Sequence, residues 1–351
     1  MADTSKLYLV RAGKSGEDEE YALEHNLAVI GFREVPTLAE AKTWLDIQKI
    51  IEKSMPAALT RAIGNYAGQL WAFALGMKEG DLVALPRKST AQIAIGRVSG
   101  SYKYINIGGE FRHTRSVRWS HTDIPRIAFQ KDLLNSFSAF TTVCSISRND
   151  AVSRVIAVMN GGVDSEVPNA LKETSLPATA NVEDAEDRPD LALAAKDAIA
   201  EYIKENFKQH ALTELVNAVL QADGWVTKVS PPGPDGGVDI LAGRGLLGLD
   251  SPRLAVQVKS QSTQADVTVY RTLQGSMTSF KADQGLLVCW GGFNKPLEKE
   301  AKNGHFAVRL WNSADLIEAI FCSYPKLPKD IQARLPLKQI WMLVEDETAL
   351  G

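Results

Sequence analysis

Apolar positions divide the chain into two differently patterned stretches. In the first, residues 7–10 (Leu7-Tyr8-Leu9-Val10) and 28–32 (Ala28-Val29-Ile30-Gly31-Phe32) are short enough to be strands, whereas 38–53 and 60–76 repeat at helical spacing. The second of these helices carries Ile63, Ala67, Leu70, Trp71 and Ala74 on one stripe. Leu82 to Pro86 and Ala91 to Val98, joined by a short polar turn, predict a hairpin, and 115–119 alternates charged with apolar residues as a half-exposed strand would. Many strands with two helices predict a small, partly closed β-barrel with helices, an α+β unit.

From residue 191 the pattern changes. Residues 191–210 place Ala195, Ile199, Ile203 and Phe207 on one helical face, and 212–222 form a second helix stopped by Asp223-Gly224. Strands are predicted at 225–229, 238–242, 254–259, 286–290 and 308–311, with helices at 267–280 and 297–302. Helices alternating with apolar strands predict an α/β sandwich around a mixed sheet. Between the two patterns, 161–190 has no apolar periodicity, three prolines and the acidic run Glu183-Asp184-Ala185-Glu186-Asp187. It reads as a linker between a first domain at 1–160 and a second at 191–351.

Composition agrees with this division. With 351 residues, 45% hydrophobic and 23% charged, the chain is an ordinary globular one and long enough for two cores. No apolar run approaches the ~20 residues of a membrane span, and Met1 to Lys6 lacks the apolar core of a signal peptide. Three scattered cysteines with no paired spacing argue against a disulfide framework or thiolate zinc site and for the cytoplasm. The net charge of -3 hides an asymmetry: residues 84–154 hold 11 Lys/Arg against 4 Asp/Glu, while 161–190 hold 2 against 8. A local basic excess is what a phosphate backbone attracts, although a solvated charged face gives the same count.

Candidate chemistry is concentrated after residue 234. Asp239 enters one apolar strand, and Gln257 and Lys259 lie two residues apart on the next, so the strand period puts both on one face. Polar groups on apolar strands are costly unless paired or used. An Asp near a Gln and a Lys can hold a hard cation and orient water toward a phosphodiester, or simply form an ion pair. Asp235, in the Pro-Gly-rich turn, is the second choice of ligand and has a turn role as its competing reading. The five histidines show no metal-ligand spacing, and neither a nucleophile elbow nor a phosphate-binding loop of the ATPase kind is present, so no nucleotide cofactor is expected.

The full string is more informative than the pair. Gly224-Trp225, then Asp235-Gly236-Gly237-Val238-Asp239-Ile240, then Val256-Gln257-Val258-Lys259-Ser260, continuing through Gly285-Leu286-Leu287-Val288 and Gly291-Gly292-Phe293, resembles the catalytic domain of Mrr-type restriction endonucleases, a branch of the PD-(D/E)XK superfamily. The resemblance covers roughly 205–320. It implies that Asp239 and Gln257 hold Mg²⁺ (or Mn²⁺), with Gln257 where the wider superfamily has a carboxylate, and that Lys259 positions the attacking water. It also implies a helix glutamate near Glu214 that could supply the missing carboxylate. Thr213 competes for that slot, and Glu214 is equally well read as an exposed helix residue.

Residues 1–160 resemble a PUA-superfamily, EVE-like module through Leu9 to Gly13, Ala28 to Phe32, Asn65 to Trp71 and Met77 to Val83. Phe32 stands where a tryptophan is expected. Such modules are implied to hold a flipped, modified base between aromatic walls, for which Phe32, Trp71, Tyr102, Tyr104 and Trp119 are candidates, with core packing as the competing role. Arg87, Lys88, Arg97, Lys103, Arg112, Arg115 and Arg118 would supply a phosphate-facing surface. The expected activity is Mg²⁺-dependent cleavage of double-stranded, base-modified DNA, as in phage defence, by a homodimer, since two strands need two sites. A conventional sequence-specific restriction enzyme and a non-cleaving DNA sensor are the alternatives.

Overall fold

The computed structural model describes residues 5–88, 90–162, 164–165, 190–231 and 237–341. They fall into two compact units, one within Met1–Ala195 and one spanning Lys196–Trp341. Asp235 and most of the expected linker lie outside the described residues.

The first unit runs β1 (Leu7–Val10), α1 (Glu19–Glu24), β2 (Leu27–Ile30), α2 (Trp44–Ser54), α3 (Thr60–Trp71), β3 (Leu82–Pro86), β4 (Gln92–Ile107), β5 (Glu110–Pro125), α4 (Lys131–Phe137), β6 (Val143–Ile146) and α5 (Ala151–Met159). Its six strands form one sheet in the order β2-β5-β4-β3-β1-β6, in which only β1 and β3 pair in parallel. The expected barrel is corrected: among the described residues no ladder joins the outer strands, so the sheet is open. Strand alternation shows why. Tyr8 and Val10 join a core with α2 and α3, while Leu7 and Leu9 join another with α4 and α5. A sheet buried on both faces needs helical layers on both sides rather than closure.

Several boundaries also move. Helix α2 starts at Trp44, not 38, because Thr43 and Asp46 form a capping box. Strands β4 and β5 run far beyond the expected segments to a turn at Gly108 and Gly109, both at positive φ. The start of the expected linker belongs to this unit, since Asp164 is buried and its carboxylate pairs with Arg154 at 2.6 Å.

The second unit contains most of α6 (Leu191–Asn206), then α7 (His210–Ala222), β7 (Val226–Val229), β8 (Ile240–Arg244), β9 (Asp250–Lys259), α8 (Val267–Phe280), β10 (Gln284–Cys289), α9 (Lys295–Asn303), β11 (Val308–Trp311), α10 (Ser313–Ser323) and α11 (Lys329–Arg334). Its sheet has the order β11-β10-β9-β8-β7. β7, β8 and β9 are antiparallel neighbours, whereas β9, β10 and β11 are parallel, as the α8 and α9 crossovers require. Leu273 of α8 and Leu297 of α9 share a core with Ala255, Leu287 and Cys289 on one face. Val219 and Leu220 of α7 lie with Leu254 and Leu286 on the other. The expected sandwich around a mixed sheet is the architecture observed.

Candidate active site

Asp239 sits one residue before β8, held from both sides. Its N–H donates to the Val256 carbonyl (2.8 Å), and its own carbonyl accepts from the Ser230 N–H (2.9 Å). Its carboxylate Oδ2 accepts from the Val258 N–H at 2.7 Å, so the backbone of β9 fixes the side chain that β8 presents. Ile240 is registered against Val256. Continuing that antiparallel register by one residue sets Asp239 opposite Gln257, on the same face of the sheet. Lys259 follows two residues later on that face, so the three polar residues come together as expected.

Gln257 is 4% exposed, and its Oε1 has no hydrogen-bond partner among the described residues. A buried, unpaired amide oxygen is costly and calls for a partner the protein does not supply. The other side of the same amide faces Gly237: a Cβ placed there would lie 3.6 Å from Gln257 Nε2, 3.5 Å from Ser276 Oγ and 3.4 Å from Thr272 Cγ2. Gly237 also has φ +81°, a conformation glycine adopts without strain. Helix α8 therefore forms the floor under Gln257. Lys259 is half-buried and registered against Cys289 of β10. Burial pushes the Cys289 thiol up, so at neutral pH it adds no charge beside the lysine. Sequence reasoning missed Ser230, Gly237, Ser276 and Cys289; only the Asp-Gly-Gly string hinted at one of them.

Glu214 does not join this group. Its Oε2 accepts from Arg334 Nη1 of α11 at 2.8 Å, and α7 packs on the face opposite the one carrying Gln257. Thr213, the alternative, is buried on the same helix. Among the described residues no three His, Cys, Asp or Glu side chains converge as a metal cluster.

The basic residues of the first unit are mostly engaged internally. Arg115 is buried and donates to the carbonyls of Phe73 (2.8 Å), Ala74 (3.1 Å) and Met77 (2.6 Å), capping the π-helical turn Ala72–Gly76. Arg112 is buried between Asp18 and Glu110, and Arg87 pairs with Glu19 and Glu20. Lys88 Nζ donates to the Lys14 carbonyl, and Arg97 Nη1 to that of Gly80. The expected phosphate surface is corrected for Arg112 and Arg115, because both guanidiniums are buried and turned inward to carboxylates or carbonyls, out of reach of DNA. Lys103 and Arg118 are exposed.

The candidate aromatics separate as well. Trp119 donates Nε1–H to the Ala22 and Leu27 carbonyls and packs against the core, a structural role. Trp71 is 38% exposed at the end of α3. Phe32 is half-buried at φ +59°, edge-on to Tyr66 at 5.5 Å. Tyr102 and Tyr104 flank His113, and Tyr104 stacks on Phe111 at 5.1 Å. His113, fully buried, bonds the Val35 carbonyl through Nε2 (3.0 Å) and the Tyr102 hydroxyl through Nδ1 (2.8 Å), while that hydroxyl accepts the Leu38 N–H (3.1 Å). Tyr102 and Tyr104 thus meet at His113, and Phe32, Tyr102 and Trp119 pack against one core.

No helix among the described residues is long and apolar enough to cross a membrane. Residues 204–320 match a family described as Restriction endonuclease, Mrr_cat, and 7–144 match a Domain of unknown function, DUF8426. No curated protein matches. Similar solved structures include one described as DNA modification-dependent restriction endonuclease AspBHI, 15% identical over 89% of this chain and 87% of that chain, TM-score 0.33. Another is described as MspJI Restriction Endonuclease in Complex with 27-mer Oligonucleotide, 13% identical over 93% and 78%, TM-score 0.33. At those scores neither likeness adds a geometric argument. The family match falls on the very strands that carry Asp239, Gln257 and Lys259: over residues 204–320 the chain carries a domain of the restriction endonuclease family.

Proposed function

We propose that the chain hydrolyses phosphodiester bonds of double-stranded DNA with a divalent metal, Mg²⁺ or Mn²⁺, and that its first unit restricts this activity to DNA carrying a modified base. The observation that carries the first half is the grouping of Asp239, Gln257 and Lys259 at one end of β8 and β9. The donor set fits a hard cation: a carboxylate held by a backbone N–H beside a buried amide oxygen in search of a partner. Asp239 and Gln257 would hold the ion, which when bound supplies Lewis acidity toward water and phosphate. The Lys259 ammonium donates to a non-bridging phosphate oxygen and offsets the charge that develops there.

Base sensing is supported by the flat aromatic walls around His113, where Phe32, Tyr102 and Tyr104 offer stacking surface and the exposed Phe111 extends it. Lys103 and Arg118 remain as phosphate contacts. The same reading puts the protein in the cytoplasm, consistent with cysteines that form no disulfide among the described residues. The test is cleavage of matched plasmids that are unmodified or carry N6-methyladenine, 5-methylcytosine or 5-hydroxymethylcytosine. One modified plasmid should be cut, and Lys259→Ala should lower that rate by about 100-fold or more. Equal cutting of the unmodified plasmid would refute the sensing half, and cutting retained by Lys259→Ala would refute the assigned site.

A further inference from the structure

Beyond Lys259 the chain does not leave the sheet as a free loop. The Lys259 carbonyl accepts the Trp290 N–H at 2.8 Å, and the Gln261 carbonyl accepts the Gly291 N–H at 2.9 Å. The Ala265 N–H donates to the Gly292 carbonyl (2.9 Å), and the Ala265 carbonyl accepts the Asn294 N–H (3.1 Å), around a parallel bridge between Ala265 and Phe293. Residues 260–265 are therefore laced at both ends to 290–294. Gly291 lets the two segments meet. A Cβ there would collide with the Thr263 carbonyl oxygen and lie 2.5 Å from the Ser262 carbonyl carbon, which only glycine avoids. The backbone of Ser262 and Thr263 is thus pressed onto Gly291, while Gln261, Ser262 and Thr263 are exposed residues.

The result is a fixed strip of uncharged hydrogen-bonding side chains that starts where the candidate active site ends. At no more than ~3.6 Å per residue, Gln261 lies within roughly 7 Å of Lys259 and Thr263 within roughly 14 Å. Charges follow one another at ~3.4 Å of axis along one strand of a duplex, so the strip reaches about two to four phosphates from the one at Lys259. Lys295, exposed at the first residue of α9, adds a cation directly after Asn294. The neighbouring carboxylate of Asp266 is engaged with α8, where its Oδ1 accepts the N–H groups of Thr268 (2.9 Å) and Val269 (3.2 Å). Hydroxyl and amide side chains bond phosphate oxygens and so set the register of a strand without reading its sequence. Register matters beside the reacting phosphate, because a misplacement of ~1 Å costs roughly a hundredfold in rate.

We propose that Gln261, Ser262, Thr263 and Lys295 form a ledge for the sugar-phosphate backbone of the strand being cut, holding the phosphates beside the one at Lys259. The ledge rests on the nuclease reading above and adds to it the residues that seat the strand. Binding and cleavage by the full chain are measured on matched duplexes that are unmodified or carry N6-methyladenine, 5-methylcytosine or 5-hydroxymethylcytosine. Lys295→Ala should lower the slope of log Kd against log salt by about one. The triple variant Gln261→Ala/Ser262→Ala/Thr263→Ala, altered only at exposed positions, should cut roughly tenfold more slowly, with thermal midpoint and Mn²⁺ affinity unchanged. A benzophenone side chain introduced at Gln261 should cross-link to bound duplex, whereas one introduced at Leu247 should not. Leu247 belongs to the β8–β9 turn, which carries the exposed Leu246, Leu247 and Leu249 at the other end of β9. Duplex that is bound yet cross-linked no better at Gln261 than at Leu247 overturns the ledge and leaves the nuclease reading standing. So does a triple variant that cuts as fast as the wild type. A wild type that neither binds nor cuts any of these duplexes overturns the nuclease reading, and the ledge with it.

Discussion

His113 is held neutral by its surroundings. With Nε2–H donating to the Val35 carbonyl, Nδ1 can only accept from Tyr102, and a proton there would take away the acceptor of the Tyr102 O–H. Burial pushes its pKa down to about 4, from 6.5 in the unfolded chain. As pH falls below 6.5 the unfolded chain gains a proton that the folded one refuses, so stability is lost between about pH 6.5 and 4, on the order of 3 kcal/mol in all. Midpoints of urea unfolding across that range should fall for the wild type and flatten for His113→Gln. Arg115 makes a second residue-level case. Its three carbonyl acceptors, of Phe73, Ala74 and Met77, lie at one buried helix end, so Arg115→Met should cost about 3 kcal/mol in urea unfolding without altering cleavage chemistry in the second unit. Neither role was legible in the sequence: an arginine's charge suggests phosphate, and only its burial shows that backbone carbonyls have taken its donors.

Elements were legible where their periodicity was strong. The strand carrying Gln257 and Lys259 was legible over 254–259 because two polar residues break an otherwise apolar run at the strand period, while its polar start at Asp250 was not. The outer halves of β4 and β5 did not, since both faces are partly exposed there and no apolar alternation marks them. Helices α4 and α5 are short, and their apolar residues become a stripe only against the back of the sheet. The expected single helix over 191–210 ends earlier, at Asn206, and the chain turns at Gln209 with φ 51° and ψ -120° before α7 begins. That backbone strains a side chain and suits glycine. Gln209 is exposed and caps nothing. Gln209→Gly should therefore raise stability by about 1 kcal/mol, read as a higher thermal midpoint.

At the scale of the whole molecule, the sandwich of the second unit followed from the change in apolar pattern near residue 190, because a helix stripe and a strand run cannot share one period. The open sheet of the first unit did not follow, since the same short strands suit a barrel or a layered sheet until the helices that cover both faces are known. Glu214 stayed open between the site and an exposed helix position for a related reason: a helix position gives a face, and its partner Arg334 is seen only in the fold. The ten-residue length of β9 carries one more consequence. At ~3.3 Å per residue the strand separates the leucine turn from Lys259 by roughly 33 Å. The two ends of the strand are therefore about one turn of B-DNA apart, ~34 Å, so a contact made at the leucine turn lies beyond the reach of any side chain at Lys259.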